Sequence, residues 1–447
     1  MLQRIDGSLK NIWQIALPIL LTMLSSHLMH FIDRIFLLHH SVEALNTASI
    51  AGNFCMTIIY FFIGIASTAE VFVGQYHGQK QYAKLRAPTW QMFYFSLASI
   101  VVFWPIIYLT RFFNPFPAAY AETGFIYQAI ILAAGPIYPA FIALAAFFVG
   151  RGKTLLITII VICGEFIKAI LNYLLIFGVP GFVEPLGCTG AALSTVIAES
   201  LEVIVIALCF WYAKTEHQPD RKFYPLDFKL LTEHVKIGLP LAGTNFLALL
   251  AWYLMQAMFS ATSTALATIW SVTTMVYMLI IFISDGLCKT TSVIVANLIG
   301  EQKLSVIKAV YRRLIKIALV IGVILSLPLI IFPNITIFKL IASSAPDVIQ
   351  HFAQLKPILA TLNLTILLEI LVSITWGVEI AGGDTRYGSI VYQTLLWLCV
   401  VLPTAILYLT HHLSTVLTVY FGTALWLSLS LILLYRRYRS LKWYRIL

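Results

Sequence analysis

Charge is scarce in this chain. Of 447 residues only 11% are Asp, Glu, Lys or Arg, whereas 60% are hydrophobic. A soluble protein of this length needs a hydrated exterior, and a mean hydropathy of +0.91 leaves too little polar surface to build one. Cysteine is thin as well: the six residues Cys55, Cys163, Cys188, Cys209, Cys288 and Cys399 are scattered without CxxC spacing, so neither a disulfide framework nor a metal site is indicated. HExxH and DxxxD-type acidic clusters are missing. That argues against a metal-dependent membrane enzyme, and the expectation is a protein that is not an enzyme and carries no cofactor. Strict apolar–polar alternation is also missing, which excludes an outer-membrane barrel. The leading segment MLQRIDGSLK runs into apolar sequence without a small-residue cleavage site, so that run reads as a retained helix.

What is present is a series of apolar runs, each long enough to cross about 30 Å of hydrocarbon. They fall near residues 12–37, 44–73, 90–110, 125–149, 155–178, 187–213, 237–258, 265–298, 315–333, 354–381, 388–409 and 414–435. The expected fold is an all-α membrane protein of twelve transmembrane helices. An even number puts both termini on one side. Most Lys and Arg then lie on that side, whereas the opposite loops hold only Arg111 and Lys339. This asymmetry places both termini in the cytoplasm of a plasma (inner) membrane protein. It also accounts for the net charge of +10 without nucleic-acid binding.

The longest polar connection, residues 214–236, divides the chain into 1–213 and 237–447. The halves echo one another: Ala16-Leu17-Pro18 recurs as Gly238-Leu239-Pro240, and Gly78-Gln79-Lys80 as Gly300-Glu301-Gln302, both at an offset of 222 residues. A duplicated six-helix unit follows, with a parallel repeat about an axis along the membrane normal. Such repeats place a substrate cavity between the halves. Pro18 and Pro240 are the expected hinges.

An ionisable group near the membrane centre costs about 2.5–3.5 kcal/mol on insertion scales, so each one asks for a partner or a role. Asp33 stands near the end of the first run, with His30 and His27 at three-residue intervals before it, a spacing suited to a proton relay. Glu165 with Lys168, and Asp285 with Lys289, have the i,i+3 and i,i+4 spacing of pairs that neutralise each other on one helix face. Glu369 has no basic residue within four positions.

Several motifs, in order, carry a family resemblance. ALPILLTMLSSHLMHFIDRIFL (16–37), VGQYHGQK (73–80), GRGKT (150–154), NYLLIFGVPGFVEPLGCTGAALSTVIA (172–198) and AGGDT (381–385) resemble segments of the multidrug and toxic compound extrusion (MATE) transporters. The resemblance extends along nearly the whole chain. It implies two pseudo-symmetric six-helix lobes around a central cavity, exporting cationic amphipathic molecules in exchange for H⁺ or Na⁺. It makes Asp33 the coupling acid, Asn172 a polar cation-site residue and Glu369 the acid on helix ten. Two departures stand out: Lys168 occupies a position where the family pattern has Asn, and Ala248 one where a subfamily has Glu. Both favour H⁺ over Na⁺. The expected coupling set is thus Asp33, Asn172, Lys168, Glu165 and Glu369, in a protein acting as a monomer among membrane lipids. The alternative is a flippase for a lipid-linked sugar or peptidoglycan precursor, which would hold pyrophosphate on cations such as Arg34, Lys168 and Lys289.

Overall fold

A computed structural model describes residues 7–113, 121–182, 184–213, 223–331 and 352–444. Its elements are helices throughout: α1 (Leu9–His40), α2 (Glu43–Gly78), α3 (Tyr82–Phe112), α4 (Ala121–Val149), α5 (Thr154–Phe177) and α6 (Gly187–Tyr212), then α7 (Phe228–Thr262), α8 (Thr264–Gly300), α9 (Leu304–Ile331), α10 (Phe352–Ala381), α11 (Thr385–Leu409) and α12 (Leu417–Arg439). The twelve expected spans each correspond to one of them. Residues 214–222, in the polar connection, and the end of the ninth span with Lys339 lie outside the described residues. Several helices extend beyond their apolar runs: α3 starts at Tyr82, α9 at Leu304, and α2 runs on to Gly78. Helix α7 starts at Phe228, ahead of its apolar run, because the Asp227 side chain accepts from the backbone N–H groups of Lys229 and Leu230 and so caps it.

The duplication seen in the sequence recurs in atomic detail. Ser41 caps α2 through Ala44 N–H at 3.0 Å, and Ser263 caps α8 through Leu266 N–H at 3.1 Å. Proline inside a helix withdraws one backbone donor. In both repeats a threonine one turn on donates to the proline carbonyl: Thr22 to Pro18 and Thr244 to Pro240, each at 2.9 Å. Thr154 donates to the Ile15 carbonyl as Thr385 does to that of Ile237. The turns after α2 and α8 each put a non-glycine residue at positive φ, Lys80 at 60° and Gln302 at 59°.

The first six helices form one bundle and the last six another. They meet where α1 packs on α8, α2 on α7, and α2 on α8. The contacts that join them cluster on the membrane face that carries the chain ends, called here the terminal face. Small residues make the closest approach possible: Gly74 and Gly78 of α2 oppose Ala296 and Gly300 of α8, a small-xxx-small pairing of the kind that draws membrane helices together. Around it the polar contacts are reciprocal. Gln75 donates to the Ala381 carbonyl at 2.9 Å, and Asn297 donates to the Gly150 carbonyl at 2.7 Å. Gly150 and Ala381 are the first residues of GRGKT and AGGDT, so each half grips the same motif of the other.

Candidate functional site

Asp33 lies four turns or so past Pro18 on α1, at the point where α1 faces α5. Its Oδ2 is 2.8 Å from Lys168 Nζ, with the two side chains 17% and 7% exposed. The Asn172 amide, one turn along α5 from Lys168, donates to Asp33 Oδ1, and the fully buried Ser194 of α6 donates to Asn172 Oδ1. Three helices thus converge on one carboxylate, and its counter-charge is a side chain of the protein. Spacing along α5 predicted that Lys168 would face Glu165. The structure turns Lys168 to Asp33 instead, and leaves Glu165 within electrostatic reach of both without an ion pair among the described residues. For the Lys168 ammonium, a carboxylate at bonding distance on another helix outcompetes one on its own helix, whose side chain must bend back to meet it.

The two histidines are not drawn into this centre by hydrogen bonds. His27 places Nδ1 2.8 Å from the Met23 carbonyl of its own helix and holds its ring near Phe282 of α8, 6.4 Å between centroids. His30 is exposed one turn before Asp33.

Glu369 belongs to a second centre, in the other bundle. Tyr392 of α11 donates to its Oε1 at 3.2 Å, while Oε2 is buried with no hydrogen-bond partner among the described residues. A crevice beside it is lined by Tyr277, Ser284 and four isoleucines. The other expected local pair also gives way to a tertiary one. Lys289 lies 2.8 Å from Glu70 of α2, across the seam between bundles, and forms no ion pair with Asp285.

Sequence reasoning missed Ser194, Tyr392 and Glu70 as partners, since each meets its acid, amide or cation from a different helix. Gln75 and Asn297 left a signal: they are side-chain amides at the same offset of 222 that relates the prolines. Ser194→Ala removes a donor from a buried amide, and one such bond is worth about 1 kcal/mol. The variant is expected to lose about 1 kcal/mol of stability with unchanged membrane insertion, which thermal unfolding of the purified protein checks.

The long apolar helices, with an ion-paired carboxylate buried between them, define a multi-pass membrane protein. The MatE family model matches residues 18–174. The chain is 23% identical over 460 residues to the uncharacterized transporter YisQ of Bacillus subtilis (strain 168), covering 97% of this chain and 94% of that protein. It is 24% identical over 252 residues to the multidrug resistance protein NorM of Vibrio cholerae, a match to about half of each: 55% of this chain and 54% of that protein. Its fold superimposes on an outward-facing multidrug resistance MATE family transporter of the MOP superfamily with a TM-score of 0.81 at 18% identity, over 97% of this chain and 96% of that one. The chain is thus similar to MATE transporters in fold along nearly its whole length, and to the MatE family model over residues 18–174.

Proposed function

We propose that this protein exports amphipathic organic cations across the plasma (inner) membrane in exchange for inward protons, by alternating access between bundles 1–213 and 237–447. The observation that carries the proton reading is the Lys168 ammonium seated on Asp33. A sodium ion would have to displace a buried, hydrogen-bonded cation from that carboxylate. A proton meets less resistance, because it neutralises Asp33 and the released ammonium finds Glu165 one turn back on its own helix. Asn172 stays bonded to the carboxyl in either state, and exposed His30 offers the proton a way in, with His27 a turn further along. Glu369, with one oxygen unpartnered among the described residues, serves as a second proton site. Pro18 and Pro240, whose own N–H groups are absent from the helix ladders, are the hinges.

The density of Lys and Arg on the terminal face argues for cytoplasmic termini. The seam at that face is closed, so the conformation reads as outward-facing. The flippase reading loses two of its three cations, because Lys168 and Lys289 are each held by a carboxylate, leaving Arg34 alone of the three. The test is efflux: cells expressing the protein should lose preloaded ethidium faster than cells expressing an Asp33→Asn variant. Equal rates would remove the exporter assignment.

A further inference from the structure

Asp285 makes no hydrogen bond or ion pair with either carboxylate centre among the described residues. It lies exposed on α8, the helix that faces α1 and α2 of the other bundle. Its direction follows from its neighbours, since successive helical residues turn by about 100°. Ser284 points to α10, where it hydrogen-bonds Ser373. Gly286 backs onto Leu20 of α1, and Phe282 meets His27 of the same helix. Asp285 projects between these directions, on the flank it shares with Lys289, whose ammonium reaches α2. It therefore lines the gap between the bundles one turn beyond the closed seam. The groups within electrostatic reach of it are His27 from α1, Tyr60 from α2, Glu369 from α10 and Tyr392 from α11, with Tyr277 and Cys288 on its own helix.

Along α8 the cation spaced to neutralise Asp285 is Lys289, and Glu70 holds it at 2.8 Å on the far side of the seam. The carboxylate is thereby left exposed and without an ion pair among the described residues, with exposed Tyr60 of α2 within electrostatic reach and Phe282 one turn back on its own helix. We propose that Asp285 is the anchor for the positive head of the transported molecule, and that Glu70 keeps the anchor open by holding Lys289 away from it. A carboxylate with aromatic residues on neighbouring positions suits a flat or bulky organic cation, whose charge it takes while the rings offer apolar and cation-π contact. The inference rests on the exporter reading above and names a residue that reading does not use.

The test is equilibrium binding of ethidium to the purified full-length protein in detergent, read by fluorescence. Asp285→Asn keeps size and hydrogen bonding and removes the charge; binding is expected to weaken about tenfold or more, the scale of a partly desolvated charge contact. Glu70→Gln leaves Asp285 intact but frees Lys289 to pair with it, so affinity should drop similarly. Adding Lys289→Met to Glu70→Gln should restore it. Wild-type affinity in Asp285→Asn, or a double variant as weak as Glu70→Gln, would overturn the inference alone. Wild-type protein that binds no ethidium would overturn the exporter reading and the inference with it.

Discussion

Asp33→Asn is expected to abolish proton-coupled export and to destabilise the protein, whereas Asp33→Asn combined with Lys168→Met recovers the stability and not the transport. The reason lies in the burial of Lys168. With its side chain 7% exposed, Lys168 keeps Glu165, one turn back on its own helix, as counter-charge once Asp33 is neutral, so the loss approaches but does not reach the about 3–5 kcal/mol of a fully unpaired buried charge. Replacing both partners with neutral groups removes that penalty. Transport does not return, because the group that accepts the proton is gone. Thermal unfolding of the three variants alongside initial transport rates separates the two effects. A double variant that transports would show that the pair is structural.

Gly78→Val is expected to reduce transport to background by a different route. A Cβ at Gly78 would overlap the Asn297 backbone carbonyl, and one at Gly300 would overlap that of Gln75, so Gly300→Val should behave alike. Backbone cannot yield as a flexible side chain does. The variants must hold α2 and α8 apart, and so break the two hydrogen bonds that the Gln75 and Asn297 side-chain amides donate to the opposite bundle. A transporter that cannot close its terminal face cannot complete a cycle. Gly243→Ala serves as control, since nothing lies within 4 Å of a Cβ there and alanine favours the helix. Export at wild-type rate by Gly78→Val would mean that the seam need not close.

Much of the fold was legible because hydropathy reports burial in lipid directly: twelve runs became twelve helices, and the offset of 222 residues became matched caps, proline carbonyls and turns. Asp33, Lys168 and Asn172 were also legible as a group, through motif order and one turn of α5. The pairings were not. Spacing rules for i,i+3 and i,i+4 pairs describe an isolated helix, and in this protein both lysines leave their own helix for a carboxylate on another. Lys168 takes Asp33 of α1, and Lys289 takes Glu70 of α2. Ser194 and Tyr392 were invisible for a related reason. Neither residue type signals a site until the fold brings it to an amide or an acid.

The Lys168 ammonium sits on Asp33, the carboxylate to which the proposed mechanism assigns proton coupling. Ethidium transport into proteoliposomes, driven by an imposed proton gradient or by an imposed sodium gradient one at a time, tests this most directly. The proton gradient alone should drive accumulation, with sodium neither driving nor stimulating it. Accumulation driven by sodium at constant pH would contradict this mechanism.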